Sequence, residues 1–383
     1  MLVIDPSSIW TTTPRRVGAL AALVLLTGAG CLSTPDALAP CDGWESSRAI
    51  CGLTNPEDLA WLPGGEWVVA SEMARLDPGS EAMPDPPGRI TAIRARDRAL
   101  RPLFPAEWAS EAPASSGWGD AACPGPPDPA RLQPHGLDVR RTGSGAGALA
   151  VVNHGGREAV ELFEIVDADT DAPRLAWRGC VPMPEDAMTN DVAWLPDGGF
   201  VVTKFMPAIE GVGPKAIWSI LKVSVGARTG GVLRWKPGGA VVPVAGSEGS
   251  APNGIAASPD GRTLWVAAWG GEAVYQLRLD GTRAHERVEI PVDTHPDNLT
   301  WSESLGLVVA GQDPGPTKAL GCGRLREGGC DIGYAVYAID PHTLEARRVA
   351  AGRGAASVAL EVGDELFVGV FAGDAIERVA LPR

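Results

Sequence analysis

The stretch that decides the fold begins at residue 190 and reads Asn190-Asp191-Val192-Ala193-Trp194-Leu195-Pro196-Asp197-Gly198-Gly199, followed by Phe200-Val201-Val202-Thr203. Two runs with alternating apolar residues flank a Pro-Asp-Gly-Gly turn, which is the sequence pattern of a β-hairpin. The pattern recurs along the chain at intervals of 44 to 78 residues. The six copies begin at Glu57, His135, Asn190, Asn253, Asp297 and Ala356.

Six diverged copies of a strand–turn–strand unit predict an all-β protein with the architecture of a six-bladed β-propeller built from four-stranded blades. We place this domain at residues 47–383. A β-solenoid is the alternative, although its repeats are usually shorter and more regular. One segment, residues 207–225, predicts a short lid-like helix instead. Its apolar face would be formed by Ile209, Ile217, Trp218, Ile220, Leu221 and Val223.

The composition excludes several classes of function. The 383 residues include 47 acidic and 33 basic side chains, so the formal net charge is −14. Nucleic-acid binding depends on basic contacts to phosphate, and membrane-surface binding depends on polybasic segments. Neither fits an acidic chain. The 48 glycines and 34 prolines favour many short turns over long helices.

The N-terminal residues predict export. Arg15 and Arg16 precede an uncharged apolar run over 17–29, which is too short to span a bilayer comfortably. The run ends at Gly28-Ala29-Gly30-Cys31, which resembles the lipobox of bacterial lipoproteins. We therefore predict a signal peptide at 1–30, a leader at 31–46, and a lipid anchor on Cys31 in the outer membrane, the periplasm or the cell surface. An ordinary signal peptide with an incidental cysteine is the alternative.

The cysteines support the same compartment. Without Cys31 six remain, and an even number in an exported chain indicates disulfides. Sequence proximity favours Cys41–Cys51 and Cys322–Cys330, which leaves Cys123–Cys180, although six cysteines allow fifteen connectivities. No Cys/His spacing indicates a zinc site.

The first aligned position of the repeats carries the predicted chemistry. It holds Glu57, His135, Asn190, Asn253, Asp297 and Ala356, and in a propeller these residues enter the innermost strands and encircle the central channel. Carboxylates buried there need compensation, because an unpaired buried charge costs several kcal/mol. Carboxylate and amide oxygens suit Ca²⁺, which takes about six to eight oxygen ligands in flexible geometry. A single Asp or Asn before a strand is usually a turn or cap residue, but this number in register indicates a metal site.

The next position points the opposite way along each strand. It holds Asp58 and Asp191, which together with a backbone carbonyl near Leu137 could bind a second ion deeper in the channel. Ordinary turn hydrogen bonding is the alternative.

Two histidines are the candidate catalytic residues. His135 occupies the ring position, and His154 ends the following strand, so the hairpin can bring both to one rim of the channel. An imidazole titrates near neutral pH and suits a general base that activates water; a hydrogen-bonded structural role is the alternative. His295 lies close to Asp297 and is assigned a structural or substrate-facing role. His285 and His342 lie in polar turns and are expected to be solvated.

These motifs resemble the paraoxonase/arylesterase family of calcium-dependent lactonases. The resemblance covers nearly the whole mature chain, in the family's order. It rests on Glu57-Asp58-Leu59, Pro134-His135-Gly136-Leu137, Val151-Val152-Asn153-His154 with Val160-Glu161-Leu162-Phe163, Asn190-Asp191, Asn253-Gly254-Ile255 with Ser258-Pro259-Asp260-Gly261, Asp297-Asn298 and Ala356-Ser357-Val358-Ala359.

The resemblance implies a six-bladed propeller with two calcium ions. It implies a catalytic ion held by Glu57, Asn190, Asn253, Asp297 and Asn298. It also implies a structural ion held by Asp58, Asp191 and the carbonyl of Leu137. His135 and His154 match the family's histidine dyad. The chain departs from the vertebrate enzymes after Val370, where it has no cysteine to tie the last blade to the first.

The resulting expectation is a calcium-dependent hydrolase of lactones and aryl esters, acting on a small-molecule substrate. A sugar lactonase of the gluconolactonase type is one alternative, since gluconolactonase and strictosidine-synthase propellers share the blade motifs but usually lack the His135 and His154 contexts. A non-catalytic propeller stabilised by calcium, with a face that binds protein or glycan, is the alternative from another class.

Overall fold

A computed structural model describes residues 36–41, 48–75, 86–105, 118–142, 146–208, 214–313 and 316–381. The predicted signal peptide at 1–30, the predicted lipid-bearing Cys31 and most of the leader lie outside these residues. Two short strands come first, β1 (Ala37–Leu38) and β2 (Ala49–Cys51). No helix among the described residues is long and apolar enough to cross a membrane.

The next twelve strands form three four-stranded antiparallel sheets. Blade 1 contains β3 (Pro56–Trp61), β4 (Trp67–Glu72), β5 (Arg89–Arg94) and β6 (Leu100–Phe104). Blade 2 contains β7 (Pro134–Arg141), β8 (Gly147–Asn153), β9 (Ala159–Val166) and β10 (Arg174–Pro182). Blade 3 contains β11 (Ala187–Trp194), β12 (Phe200–Pro207), β13 (Gly231–Trp235) and β14 (Val242–Pro243), with helix α1 (Pro214–Ser224) inserted after β12.

The remaining strands form three further blades. Blade 4 contains β15 (Pro252–Ala257), β16 (Thr263–Ala268), β17 (Ala273–Asp280) and β18 (Arg283–Pro291). Blade 5 contains β19 (His295–Ser302), β20 (Gly306–Gln312), β22 (Gly333–Ile339) and β23 (Ala346–Arg353), with α2 (Pro316–Cys322) and β21 (Gly329–Cys330) between β20 and β22. Blade 6 contains β24 (Ala355–Val362), β25 (Glu365–Ala372), β26 (Ala375–Ala380) and, as its outer strand, β2.

The innermost strand of each blade is the first strand of one of the six repeat copies predicted from the sequence, which confirms the six-bladed propeller. These innermost strands contact one another in a closed circle, in the order β3, β7, β11, β15, β19, β24 and back to β3. The N-terminal strand β2 also closes the circle, because it precedes blade 1 in sequence but pairs with β26 in blade 6. The end at which these strands begin is called the upper end below.

The blades pack face to face through alternating side chains. In β12, Phe200 and Val202 lie in the apolar cluster shared with blade 2, whereas Val201 between them lies in the cluster shared with blade 4. A strand with period-2 side chains buries both faces in this way. The hairpin before β12 turns at Gly198, whose φ of +84° suits glycine because it has no Cβ.

The predicted helix is confirmed, with a shorter extent and different packing. β12 continues to Pro207, and the helix α1 begins only at Pro214. Of the predicted apolar face, Val223 is buried against the upper end of the propeller, but Trp218 is 57% exposed and Leu221 is 46% exposed. Periodicity predicted a helix with one apolar face and could not tell which of those residues would find a partner. Ile209 lies outside the described residues.

Candidate functional site

The upper end of every inner strand is irregular at the same place. Antiparallel pairing with the second strand of the blade shifts register next to Glu57, His135, Asn190, Asn253, Asp297 and Ala356. β-bulges of this kind bend a strand and redirect its side chains, and they are common next to active sites. Six equivalent irregularities around one axis therefore present the repeat's first aligned position to the channel.

Small residues let the inner strands approach closely at this level. A Cβ added at Gly136 would lie 2.5 Å from the Cα of Asp191, and one added at Gly254 would lie 2.6 Å from the Cα of Asn298. Both distances are too short for any side chain, so these two glycines are required by the neighbouring blade. This close approach is what brings ligand-type side chains from different blades together.

The upper ring is defined as Glu57, Asn190, Asn253, Asp297 and Asn298, all of them buried. Four of its oxygens are buried without any hydrogen-bond donor. They are Glu57 Oε2, Asn190 Oδ1, Asn253 Oδ1 and Asn298 Oδ1. A buried acceptor left unsatisfied costs about 1–3 kcal/mol. An electropositive partner at the centre of the ring would satisfy all four.

The two carboxyl groups of the upper ring are strongly perturbed. Burial raises the pKa of Glu57 to about 8, against the hydrogen bond from Asn298 and the nearby His154. Burial, followed by the charge of Glu57, raises the pKa of Asp297 to about 8. Both groups resist ionisation in the absence of a cation, and a bound cation would reverse that preference.

Other side chains hold the upper ring in position. Asn298 Nδ2 donates to Glu57 Oε1 at 2.8 Å, which turns its own Oδ1 away as the free acceptor. Gln312 Nε2 donates to Asp297 Oδ2 at 2.9 Å and to the Ala356 carbonyl at 2.5 Å, while its Oε1 accepts from Trp269 Nε1 at 2.7 Å. Sequence reasoning missed Gln312, because it ends β20 and lies outside the repeated motif.

The donor set fits a hard cation. In the part of the chain that the structure describes, no three or more His, Cys, Asp or Glu side chains gather as a metal-binding group. The upper ring instead combines two carboxyl groups with three amide oxygens. Oxygen-only donors of mixed type are what calcium accepts, whereas zinc prefers nitrogen and sulfur.

A second level of carboxyl groups lies below the upper ring, and these groups have partners. Asp58 Oδ2 accepts the Leu137 N–H at 2.7 Å, and Asp191 Oδ2 accepts the Ile255 N–H at 2.7 Å. In each pair the donor belongs to the next blade. Asp58, Leu137 and Asp191 also line a central cavity of about 290 Å³ that all six inner strands border.

A third carboxyl group that the sequence motif did not single out lies two residues further along the inner strand of blade 2 and also bonds to the next blade. Asp138 Oδ2 accepts the Trp194 N–H of the next blade at 2.8 Å, and its Oδ1 accepts the Val139 N–H at 2.8 Å. We call Asp58, Asp138 and Asp191 the lower carboxyl groups. Burial, followed by nearby carboxylate charge, raises the pKa of Asp58 and Asp191 well above the usual range. A cation between those two would relieve their repulsion, in addition to the backbone bonds they already make.

The two candidate histidines contact each other. His135 Nδ1 lies 2.8 Å from His154 Nε2, and His154 Nδ1 lies 2.8 Å from Glu158 Oε2. On its other side, His135 Nε2 lies 3.4 Å from Glu57 Oε1 of the upper ring. Burial lowers the pKa of His135, against the charges of Asp297 and Glu158. His135 is therefore neutral near pH 7 and able to accept a proton.

The other histidines are elsewhere. His295 is buried and donates from Nδ1 to the Trp269 carbonyl at 2.8 Å, which places it beside the upper ring and not in it. His285 and His342 are exposed. Besides Asp138, sequence reasoning missed Gln312, Glu158 and Thr189. Gln312 bonds Asp297 of the neighbouring strand, and Glu158 joins His154 of its own turn to Thr189 of the next blade, so their signal is three-dimensional.

The predicted cysteine pairs are observed. Disulfides join Cys41 to Cys51, Cys123 to Cys180 and Cys322 to Cys330. The first holds residues near the closing strand β2, and the third lies in the apolar cluster that covers the upper end. Three disulfides are typical of proteins outside the reducing cytosol.

Sequence comparisons with known proteins find nothing, whereas structural comparisons do. The chain matches no protein-family model and no curated protein. It is similar to the structure of a gluconolactonase from Xanthomonas campestris, with 16% identity, a TM-score of 0.51, and coverage of 91% of this chain and 95% of that one.

Two other structures of similar fold are proteins described by different functions. A luciferin-regenerating enzyme shows 12% identity and a TM-score of 0.48 over 86% of this chain and 92% of that one. A chain of a nidogen/laminin complex shows 9% identity and a TM-score of 0.42 over 76% and 78%. At such identities the comparisons show the shared fold alone, and the paraoxonase/arylesterase resemblance stays a prediction.

Proposed function

We propose that this protein is a calcium-dependent hydrolase of lactones and aryl esters. The observation that carries the proposal is the juxtaposition of two features at the upper end of the channel. Four buried oxygens there lack donors, and a hydrogen-bonded pair of histidines lies against the same ring. A purely structural ion would need the first feature but not the second.

The upper ring would hold the catalytic calcium ion, through the oxygens of Glu57, Asn190, Asn253, Asp297 and Asn298. A second, structural ion would be held by Asp58, Asp191 and the carbonyl of Leu137. When bound, the upper ion would supply Lewis-acid polarisation of the ester carbonyl and stabilise negative charge on its oxygen. Gln312 and Asn298 keep the ring's carboxyl groups aimed at one centre.

The histidines would supply the base. His135 is largely buried, with its side chain 16% exposed, and its lowered pKa leaves it unprotonated near pH 7. His135 would take a proton from the attacking water at Nε2, and its Nδ1 lies at hydrogen-bond distance from His154. His154 would stabilise the positive charge that develops on the pair. General-base catalysis by such a group contributes about 10²–10⁴-fold.

A lipophilic substrate is favoured by the helix beside the ring. Val223 of α1 packs in the same cluster as Trp269, and the Trp269 indole donates to the glutamine that holds Asp297. The same helix exposes Trp218 and Leu221 to solvent, where they offer apolar surface near the upper end. An aliphatic lactone or aryl ester would use such a surface.

A sugar lactonase is the second candidate. It is supported by the similarity in fold to the gluconolactonase from Xanthomonas campestris, and it requires the same calcium ring. A non-catalytic propeller is the third, and the histidine pair weighs against it. We further propose that the chain is exported, which the three disulfides support, and that it is a lipoprotein anchored through Cys31.

The test measures proton release from three substrates by the purified protein: an aryl acetate, an aliphatic δ-lactone and gluconolactone. Each is assayed with calcium, after chelation, and after calcium is restored. His135→Gln is compared with His342→Gln, whose imidazole is exposed in a distant turn. We expect calcium-dependent turnover of the δ-lactone, lost about 10²–10⁴-fold in His135→Gln and retained in His342→Gln.

Each other outcome selects a different function. Turnover of gluconolactone alone would assign the protein to the sugar lactonases. Turnover that survives chelation would contradict the role of the upper ring. A folded, calcium-loaded protein that hydrolyses none of the three substrates would favour a binding propeller.

A further inference from the structure

Glu158 connects the histidine pair to the next blade. It lies in the turn between β8 and β9, with its side chain 22% exposed. Its Oε2 lies 2.8 Å from His154 Nδ1. Its Oε1 accepts both the backbone N–H of Thr189 at 2.7 Å and the Thr189 hydroxyl at 2.5 Å. Each oxygen therefore has its own partner, and Thr189 immediately precedes the ring residue Asn190.

This arrangement decides where the imidazole protons lie. An ionised carboxylate only accepts hydrogen bonds, so His154 must carry its proton on Nδ1. With that tautomer, His154 Nε2 is an acceptor, and the 2.8 Å contact requires His135 Nδ1 to donate. His135 Nε2 is then left with a free lone pair on the side of the channel, 3.4 Å from Glu57 Oε1.

The electrostatics of Glu158 agree with its being ionised. Burial would raise its pKa, but hydrogen bonds from His154 and Thr189 outweigh burial and hold the pKa below its usual range. Among the described residues, Glu158 is the side chain within hydrogen-bond distance of His154 Nδ1.

We propose that Glu158 is a positioning residue for the histidine pair, which fixes both imidazoles in the Nδ1–H tautomer so that His135 presents Nε2 as the base. This inference rests on the proposed hydrolase function for its catalytic consequence, but the tautomers are a property of the protein without substrate. A buried carboxylate that orients a histidine base is a recurrent device in hydrolases, and there a neutral amide in its place lowers kcat by about 10⁴-fold.

The competing interpretation is that Glu158 only ties blade 2 to blade 3 through Thr189. The variant E158Q separates the two roles. The buried Thr189 N–H needs an acceptor, so the glutamine carbonyl oxygen stays on Thr189 and its NH₂ group faces His154. That NH₂ donates to His154 Nδ1, which forces the Nε2–H tautomer on His154 and, through it, on His135. E158Q therefore keeps the hydrogen bond to Thr189 of blade 3 but places a proton on His135 Nε2, which can then no longer act as the base.

The experiment records two-bond ¹H–¹⁵N correlations of the imidazoles in the calcium-supplemented protein, together with kcat and KM on the δ-lactone. We expect the Nδ1–H tautomer for His135 and His154 in the wild type and the Nε2–H tautomer for both in E158Q. We also expect kcat to fall at least about 100-fold in E158Q with little change in KM or in calcium affinity. E164Q is the matched control, because Glu164 lies on the same blade and pairs instead with Arg178.

A third variant, E158A, tests the mechanism directly. It removes the carboxylate without imposing a donor, so His154 can still reach the productive tautomer, and we expect a smaller loss of kcat than in E158Q. Equal losses in E158A and E158Q, with equal losses of thermal stability, would overturn the proposal in favour of the structural tie.

The inference about Glu158 and the proposed function can be refuted independently. A wild-type protein with His154 as an imidazolium or as the Nε2–H tautomer overturns the inference about Glu158, whatever its activity. A wild type with the expected tautomers, and no turnover of any lactone, supports the orienting role while it overturns the proposed function.

Discussion

Two of the lower carboxyl groups, Asp58 and Asp191, directly follow upper-ring residues in sequence, but their oxygens are used in the opposite way. Asn190 Oδ1 is buried without a donor, whereas both oxygens of its neighbour Asp191 accept backbone N–H groups, from Val192 and Ile255. The same contrast separates Glu57, with one unsatisfied oxygen, from Asp58, which accepts from Leu59 and Leu137.

The difference teaches what each level is for. Unsatisfied buried acceptors destabilise a metal-free protein, so they persist where a ligand satisfies them. Satisfied carboxyl groups that reach across to the next blade stabilise the closed circle directly. The upper ring therefore offers acceptors that a ligand could satisfy, whereas the lower carboxyl groups connect the blades.

The largest expected effect comes from removing an unsatisfied oxygen of the upper ring. In Asn253→Ala we expect calcium affinity to fall at least about 100-fold, since even indirect partners of a metal ligand are worth about 10–100-fold. Turnover falls with it. The calcium-free variant should lose little stability, because the buried acceptor without a donor is removed together with the hydrogen bond that the Asn253 amide gives Asp297. Calorimetric calcium titration and thermal unfolding in chelator measure the two effects.

Asp260→Asn is the control for this variant, because Asp260 is exposed in the turn of the same hairpin and bonds only locally. If Asn253→Ala lowered the stability of the calcium-free protein and left calcium affinity intact, the assignment of the upper ring would be wrong.

The second effect is a dependence of stability on pH that calcium removes. In calcium-free protein, Glu57 and Asp297 have pKa values of about 8, above their ordinary values of 4.5 and 3.8. The folded state then binds more protons than the unfolded state between about pH 4 and pH 8, so stability falls as pH rises through that window. We expect a loss of at least about 2 kcal/mol from pH 5 to pH 8, since one pKa unit is worth about 1.4 kcal/mol.

Urea unfolding at several pH values, with chelator and with calcium, measures this dependence. Calcium should stabilise the protein most at pH 8, where its carboxylate ligands would otherwise be uncompensated. Glu57→Gln in chelator should show a shallower pH dependence than the wild type. Identical pH profiles with and without calcium would contradict the prediction.

The smallest expected effect tests the lower level. Asp138→Ala leaves the N–H groups of Val139 and Trp194 without their acceptor. Because Asp138 is only partly buried, we expect a loss of about 1–2 kcal/mol in the free energy of unfolding, at the lower end for unsatisfied groups. Calcium affinity should be unchanged. Chemical denaturation measures the stability of this variant, and calcium titration measures its calcium affinity. A loss of calcium binding without a loss of stability would contradict the distinction between the upper ring and the lower carboxyl groups.

Much of the fold was predictable because its information is local and repeated. Each hairpin carries its own alternation and turn, so six copies predicted six blades and identified the inner strand of each. The disulfides followed from proximity in sequence for two pairs and from elimination for the third. By contrast, the packing of α1 was predicted only in part, because the exposure of Trp218 and Leu221 depends on what lies opposite them.

The candidate site divides in the same way. The repeat alignment predicted which side chains enter the channel, because the same strand position in every blade faces the axis. It could not predict Gln312, Glu158 or Thr189, which support the site from the end of a second strand, a turn and a flanking position. Nor could it predict that Leu137 would offer its N–H to Asp58, since that bond joins two blades.

The sequence by itself therefore determined the number of blades, their inner strands and the residues that surround the axis, because periodicity in a chain becomes position in a propeller. Only the tertiary structure decided which of those residues keep an unsatisfied oxygen, and which nitrogen of His135 is free. Both depend on donors and acceptors that a neighbouring blade contributes, and no short stretch of sequence contains both partners of such a contact.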